Sequence, residues 1–409
     1  MILSPRVSRE ASVMSTRSAA ASPVDAQTTL AEHPRFGAAS SLLDARDDLY
    51  MLVADLAAEA PFEVSEFGPE LRKSSAATQR LVLGSPVIRS VLNAVLSERK
   101  YGAVHDRTEI ARLLTIATER MRAGELDRPL ESPLAQRLPG HSIWLWREDG
   151  MDEFGRELGR LFQTDVVYGS ESENLALRTA TRRMTRVIRD AVLVLDRLVP
   201  YLARGLLPHV TLIAVVDQLH RNGDRIPPGS PSFESGSSDS VPGIIFLSPS
   251  ALRSVWSTAE AIFHESCHQK LFDLASVSTI YRSGYSPASS ERIKSIWNRS
   301  TAQNSNFWSI DRALIAFHVY VHLAALSKVG LWQASSAESA GSRPPEVDFD
   351  RGFRRTADRA HYLGHMLRES GQIELGPDGK ALVEWLVQVL QELIDPPVPL
   401  RTLTARLSI

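Results

Sequence analysis

The sequence predicts a mainly helical α+β fold in which a small sheet packs beside a pair of helices. Apolar residues recur at helical spacing through most of the chain, whereas residues 210–216 and 243–247 form continuous apolar runs of strand length. The chain has 409 residues, of which 43% are hydrophobic and 23% are charged. Such a chain can bury one large core or two smaller ones.

The first part of the chain divides into two predicted regions. Residues 1–38 are predicted to be a disordered N-terminal segment, because Ser, Ala and Thr are frequent there and apolar periodicity is lacking. Residues 39–140 are predicted to be a helical scaffold region, since residues such as Leu42, Leu49 and Leu56 recur at helical spacing. The remaining domain, residues 141–409, is expected to hold the functional site.

The predicted sheet lies within this last domain. An amphipathic helix is predicted over 173–198, and the strands at 210–216 and 243–247 follow it. Residues 227–242 are rich in Pro, Gly and Ser and are expected to form a mobile surface loop. The second strand leads into the next helix, where it could align an extended peptide by strand addition or form an ordinary hairpin. The sequence leaves both possibilities open.

Charge and composition exclude several classes of protein. The formal net charge is −2, from 46 basic and 48 acidic residues, which gives no electrostatic footprint for nucleic acid or an anionic membrane. No segment approaches the ~20 consecutive apolar residues of a membrane span, and the N-terminus lacks the apolar core of a signal peptide. The single cysteine, Cys267, excludes an intrachain disulfide and is expected to be a small helix residue. A cytoplasmic protein without nucleic-acid or membrane partners is therefore expected.

The most specific pattern in the chain is the pentad H-E-S-C-H, in which His264, Glu265 and His268 match H-E-x-x-H. Two imidazoles four residues apart lie on one face of a helix, where both can reach a single metal ion. Ser257 and Glu260 fit an S-x-x-E capping box, so a helix is predicted from residue 258 to about residue 274. The pattern predicts a metal site on this helix.

Two histidines seldom complete a metal site, so a third ligand is expected downstream. The first candidate is His318, on a helix predicted over 309–328 with a serine N-cap and Gly330 as its stop. The competing candidate is Glu291, in a helical stretch predicted over 290–297, at a spacing that suits carboxylate-completed zinc peptidases. Either ligand set leaves coordination positions open for Zn hydrolysis or Fe(II) oxygen chemistry, so both remain possible.

A second pair of histidines has the same four-residue spacing. His361 and His365 lack an intervening glutamate and lie among arginines. They are predicted to be surface or supporting structure rather than metal ligands.

Residues 210–329 resemble the H-E-x-x-H peptide-modification proteins that occur with ribosomally synthesised peptide pathways. The resemblance includes the serine-rich segment with S-V-P-G-I-I-F-L-S, the helix with His264 and His268, a segment ending W-S-I-D-R-A-L, and His318. It implies an Fe(II) and 2-oxoglutarate dependent hydroxylase that acts on β-carbons of a precursor peptide. It also implies that His264, His268 and His318 are the iron ligands and that a leader peptide or carrier accompanies the substrate.

The cofactor implied by the resemblance carries a distal carboxylate that needs a cation. Arg312 is the first candidate, because a guanidinium can pair with a carboxylate through two hydrogen bonds. It stands six residues before His318, at the start of the predicted helix. The family often has Arg-Pro and His-Gly where this chain has Arg312-Ala313 and His318-Val319.

The role expected of Glu265 depends on the reaction. In an oxygenase it would orient a ligand or water, whereas in a hydrolase it would be the general base. A zinc metallopeptidase with Glu265 as general base is therefore the alternative enzyme. A catalytically inactive peptide-binding protein that retains the fold is the second alternative.

Overall fold

The structure of the protein is a computed structural model that describes residues 23–59, 62, 64–101, 105–124, 126–147, 152–166, 173–220, 234–298, 305–335, 347–394 and 400–407. The helices are α1 (Pro23–Glu32), α2 (Ala39–Leu56), α3 (Phe67–Lys73), α4 (Ala76–Gly84), α5 (Pro86–Tyr101), α6 (Arg107–Ala123), α7 (Glu153–Leu161), α8 (Arg182–Leu198), α9 (Pro200–Leu206), α10 (Val255–Val277), α11 (Ile310–Ser335), α12 (Phe349–Ser370), α13 (Pro377–Leu393) and α14 (Leu400–Leu407). The strands are β1 (Gln136–Arg137), β2 (Trp144–Leu145), β3 (Glu173–Arg178), β4 (Leu212–His220), β5 (Ser235–Ser238), β6 (Val241–Leu247), β7 (Ile293–Lys294) and β8 (Phe307–Trp308).

A mixed sheet separates two helical layers. Its strands follow the order β1, β2, β4, β6 and β5, and β3 joins it as a further partner of β4. The central strands β4 and β6 run parallel, with Leu212 opposite Ile244. These two strands confirm the predictions at 210–216 and 243–247.

Alternating side chains of β4 and β6 divide the hydrophobic core into two parts. One set packs against helices of the N-terminal half, and the other packs against α8, α10 and α11. The first set is Leu212, Ala214, Val216, Ile244 and Phe246, and the second is Ile213, Val215, Ile245 and Leu247. The mainly helical α+β prediction is confirmed, and the region of residues 39–140 packs on the same sheet as the rest of the chain.

The edge of this sheet corrects the prediction of a loop. Within the predicted loop at 227–242, β5 pairs antiparallel with β6, so that Ser235 lies opposite Leu247. The loop prediction is wrong for these residues, and residues 221–233 lie outside the described part of the chain. The ordinary hairpin, one of the two alternatives for this strand, is present next to α10.

The N-terminal prediction is wrong from residue 23 onward. Helix α1 contributes Ala26 and Leu30 to the core, where both are at most 1% exposed. It packs against α9, α11 and α13, so its apolar side chains are ordered by burial rather than by local periodicity. Residues 1–22 lie outside the described part of the chain.

The predicted helix over 173–198 is a strand followed by a helix. Residues 173–178 form β3, which pairs antiparallel with β4, and Arg178 forms a salt bridge with Asp217 of β4. The helix α8 begins only at Arg182, after Thr181 caps it by accepting a hydrogen bond from the Met184 amide. The first half of the prediction is wrong because long-range pairing determines its structure.

Helix α11 extends beyond its predicted stop. Gly330 lies inside the helix, and a Cβ at this position would collide with the Phe349 ring. The glycine therefore allows α12 to pack closely and does not end the helix. By length and hydropathy α11 could cross a membrane, but 67% of its apolar window is buried inside the protein, as expected of a core helix.

Candidate metal centre

Helix α10 presents the H-E-x-x-H motif, and its capping differs from the prediction. Ser254 is the N-cap and accepts a hydrogen bond from the Ser257 amide, while the Ser257 hydroxyl accepts one from the Ser254 amide. The helix therefore begins at Val255, and the predicted box of Ser257 and Glu260 is wrong by three positions. Reciprocal capping fixes the start of the helix and thus the direction in which its side chains point.

The two motif histidines lie side by side on one face of α10, as predicted. Their Nε2 atoms are 3.0 Å apart, and both side chains are partly buried. Two nitrogens bound to one ion at about 2.0–2.1 Å, with an angle of 90° to 110°, are about 3 Å apart. The separation of His264 and His268 therefore fits two ligands on a single metal ion. The Phe272 ring stacks on His268, with ring centroids 6.1 Å apart.

Glu265 is turned toward the sheet and is held there by two hydroxyl groups. Ser235 Oγ donates to one carboxylate oxygen at 2.7 Å and Ser237 Oγ donates to the other at 2.6 Å. Burial raises the pKa of Glu265, but the nearby imidazoles of His264 and His268 and the two serine hydroxyls outweigh burial and lower it. The carboxylate is therefore ionised and oriented by β5.

The electrostatics of His268 favour the neutral imidazole. Burial and the neighbouring His264 lower the pKa of His268 to about 4, although Glu265 opposes this shift. A metal ligand must be deprotonated, so a neutral imidazole is available to bind an ion at neutral pH.

His318 lies on α11 and is buried close to α10. It is 1% exposed, and its Nδ1 has no hydrogen-bond partner within the described part of the chain. Burial lowers the pKa of His318 strongly, and His322, Lys270 and His268 add to this shift through their charges. Among the described residues, no group of three His, Cys, Asp or Glu side chains is arranged to hold a metal ion. The structure thus pairs His264 with His268 and leaves His318 nearby without joining them in one ligand set.

Glu291 lies in a loop rather than on a helix. Its side chain is exposed, and its backbone amide donates to Glu374 Oε1 at 2.7 Å. The prediction of a helix over 290–297 is wrong, because this segment consists of loop and turn residues around the short strand β7. Among the described residues, no group of metal donors includes the carboxylate of Glu291.

Arg312 is exposed near the start of α11. Its guanidinium carbon lies 5.0 Å from the centre of the Trp308 ring, a cation–π contact. Cys267 is fully buried, and burial raises the pKa of its thiol, as expected of a small helix residue. The second histidine pair is peripheral, since His365 forms a salt bridge of 3.1 Å with Glu369.

A cavity that no sequence pattern indicated begins one turn after His268. The cavity has a volume of about 450 Å³ and is lined by Phe272 of α10, Ile315 of α11, and Arg89 of α5. Arg89 forms a buried salt bridge with Asp273 of α10. No local pattern could have linked these two residues, since they are 184 positions apart.

No protein-family model matches the chain, and no curated protein matches its sequence. The functional interpretation therefore depends on the residues of this chain and on their arrangement.

Proposed function

We propose that the protein is a non-heme Fe(II) and 2-oxoglutarate dependent hydroxylase that acts on a peptide or amino acid, with a β-carbon as the site of reaction. The observation that carries this proposal is the pair of Nε2 atoms of His264 and His268, 3.0 Å apart on one helical face. The pair fits one metal ion, and imidazole ligands suit Fe(II) as well as Zn. The resemblance of residues 210–329 to peptide-modification proteins selects Fe(II).

His264 and His268 would hold the metal, with His318 as the proposed third ligand. His318 is buried, comes from the adjacent helix, and has an unpartnered ring nitrogen within the described part of the chain. A buried ring nitrogen without a hydrogen-bond partner costs free energy. Movement of His318 toward a bound ion would give its imidazole a metal–nitrogen bond and offset this cost. Fe(II) with a keto acid supplies the chemistry that inserts one oxygen atom of O₂ into a C–H bond.

Glu265 would orient the metal site rather than transfer protons. Both of its oxygens accept hydrogen bonds from serine hydroxyls, Ser235 and Ser237. A carboxylate held in this way fixes the edge strand β5 against α10 and adds negative charge beside the histidine pair. A general base in a peptidase needs at least one oxygen directed at the metal-bound water, which the contacts of Glu265 do not favour.

The zinc metallopeptidase remains the second candidate because H-E-x-x-H also serves hydrolysis. Its carboxylate ligand, Glu291, is exposed in a loop, whereas His318 is buried on the helix that packs against α10. This difference favours His318 as the third ligand, and with it the oxygenase over the peptidase. A cytoplasmic enzyme with a peptide partner, presented with a leader peptide or carrier, completes the proposal.

Anaerobic titration with Fe(II) tests the proposed ligands directly. The wild-type protein is expected to bind about one equivalent of iron, and the variants His264→Ala, His268→Ala and His318→Ala are expected to lose most of that affinity. His365→Ala is the matched control, because His365 also belongs to a four-spaced pair but contacts Glu369 instead. Iron binding that survives all three variants would remove the basis of the proposal, and loss in His365→Ala would place the metal elsewhere.

A further inference from the structure

We infer that the cavity beside the histidine pair is a carboxylate-binding pocket, in which Arg89 is the cation that pairs with the carboxylate of the ligand. The inference deepens the proposed function, since the pocket would hold either the co-substrate or an acidic group of the peptide. The inference rests on the proposed function only where it assigns a reaction to the bound ligand. Binding of a carboxylate in the pocket requires no turnover.

The position of the cavity connects it with the motif. Its walls include Leu271, Phe272 and Ala275, which follow His268 by three, four and seven residues on the same face of α10. Phe272 both stacks on His268 and lines the cavity. A ligand in the cavity would therefore lie within one or two helical turns of the metal site.

The cavity has the composition of a ligand site. Its volume of about 450 Å³ is within the range of small-molecule pockets, about 300–1,000 Å³. Aromatic rings form much of its wall, and two of them, Tyr281 and Tyr285, stack with centroids 4.8 Å apart. Apolar and aromatic walls with a few fixed polar groups are typical of sites that bind one small group specifically.

Arg89 is the buried cation of this cavity. It is 1% exposed, and only its Nη2 pairs with Asp273, while Nε and Nη1 have no hydrogen-bond partner within the described part of the chain. Leaving buried donors of a charged group unpaired costs free energy, which a ligand carboxylate could recover. Guanidinium groups bind carboxylates through two parallel hydrogen bonds, so Arg89 has the donors that such a ligand requires.

The buried cluster around Arg89 leaves N–H groups unpaired although its charges balance. Asp273 accepts hydrogen bonds from Arg89, Arg46 and His209, and Arg46 also pairs with Asp47 at 2.6 Å, so two carboxylates face two guanidinium groups. The feature of Arg89 that could bind a ligand is therefore its unpartnered Nε and Nη1 groups.

Two acidic residues line the same cavity and restrict the ligand. Asp239 is exposed, and Asp311 accepts a hydrogen bond of 2.5 Å from Tyr285 Oη. Water screens the charge of an exposed carboxylate more strongly than that of a buried guanidinium. The ligand is therefore expected to place one carboxylate at Arg89 and an uncharged or cationic part near the acidic residues.

Two sources could supply this carboxylate: the co-substrate 2-oxoglutarate, or an aspartate side chain of the peptide. Calorimetric titration of the metal-free, full-length protein separates them. The probes are 2-oxoglutarate, N-acetyl-aspartate methylamide, and N-acetyl-asparagine methylamide as the uncharged control. Saturable binding of either acid, without binding of the asparagine compound, supports the pocket and identifies its source. If neither acid binds, the inference is overturned.

Two arginine variants locate the anion partner. Arg89→Gln should weaken acid binding by about 10- to 100-fold, the usual effect of losing a charge-assisted pair. Arg354→Ala, which removes an exposed arginine paired with Asp350 outside the cavity, is the control and should bind like the wild type. Unchanged binding in Arg89→Gln, or an equal loss in Arg354→Ala, would overturn the role of Arg89. Asp273 retains Arg46 and His209 in the Arg89 variant, so the buried carboxylate stays paired.

A cavity-filling variant covers the case in which Arg89→Gln does not fold. Ala275→Phe leaves the Arg89–Asp273 pair intact and fills space that Ala275 borders. Loss of acid binding in a folded Ala275→Phe protein supports the pocket, and unchanged binding overturns it. These titrations need neither iron nor turnover, so a protein that binds the acid but never hydroxylates would contradict the proposed function alone.

Discussion

Arg89 and Asp273 form a fully buried salt bridge between α5, which packs on one face of the sheet, and α10, which packs on the other. Asp273 also binds Arg46 and His209, and all four side chains are at most 5% exposed. The pair thus ties the helix that carries His264 and His268 to the opposite helical layer. Breaking a buried pair leaves an unpaired charge, which is far more costly than losing a surface pair.

Asp273→Asn should therefore destabilise the protein by about 3–5 kcal/mol at neutral pH, because the buried Arg89 loses its carboxylate partner, whereas Arg46 keeps Asp47. Urea unfolding measures this loss. Asp350→Asn is the matched control: Asp350 pairs with Arg354 on the surface, where both side chains are more than half exposed, and it should cost less than about 1 kcal/mol. Similar losses for the two variants would show that the buried cluster contributes little.

The same carboxylate should affect acid stability. Burial raises the pKa of Asp273, but Arg89, Arg46 and His209 outweigh burial and hold it well below its usual range. A lowered folded-state pKa contributes stability above the unfolded pKa of about 3.9, and this contribution is lost as pH falls toward the folded-state value. The free energy of unfolding of Asp273→Asn should accordingly fall less steeply than that of the wild type below about pH 5.

His268→Ala should remove most metal affinity and leave the fold intact. The imidazole faces a polar site and its partner His264, and Ala is a strong helix former. Metal content after gel filtration and far-UV circular dichroism measure the two properties. Cys267→Ala is the adjacent control and should keep its metal, because the thiol is buried within the helix packing. Full metal content in the His268 variant would contradict the assignment of this residue as a ligand.

The serine pair that holds Glu265 offers a test of its orienting role. Removing both hydroxyls in Ser235→Ala/Ser237→Ala should lower iron affinity or turnover by about 10- to 100-fold, as for other groups that support metal ligands. Ser238→Ala on the same strand is the control, since its Oγ accepts a hydrogen bond from the Ser240 amide instead. If the double variant behaves like Ser238→Ala, the contacts of Glu265 do not matter for the site.

Gly330→Ala tests the close packing of α11 on α12. The new Cβ would collide with the Phe349 ring, and such overpacking typically costs about 1–3 kcal/mol. Gly159→Ala in α7 is the control, because no described atom lies within 4 Å of the point that its Cβ would occupy. There the change should stabilise the helix by up to about 1 kcal/mol. Thermal or urea unfolding compares the two, and equal effects would contradict the packing role of Gly330.

How far the sequence predicts this structure depends on the range of the interactions involved. The helix with His264 and His268 was predictable because its apolar spacing is a local feature, although its N-cap is Ser254 rather than the predicted Ser257. Strand β3 was not predictable. The amphipathic pattern of α8 extends over residues 173–178 in the sequence, and these residues form a strand only because they pair with β4. α1 was missed for the same reason, as Leu30 is ordered by contacts with distant helices.

The candidate site divides in the same way. The histidine pair and Glu265 follow from a spacing of four residues, and Cys267 is a small helix residue, as predicted, which the structure shows to be buried. The serines that hold Glu265 and the cation Arg89 depend on how β5 and α5 are placed against α10, which no sequence pattern encodes. The assignment of His318 and Arg312 remains a prediction.

The most direct test of the proposed function is turnover under defined cofactors. The protein, reconstituted anaerobically with Fe(II), is given candidate peptides, 2-oxoglutarate and O₂, and succinate and the peptide mass are measured together. The proposal predicts succinate formation that depends on iron and the keto acid, and a peptide that gains one oxygen atom, about 16 Da, without backbone cleavage. Metal-dependent cleavage of the peptide that is unaffected by 2-oxoglutarate would contradict the hydroxylase and favour the zinc peptidase.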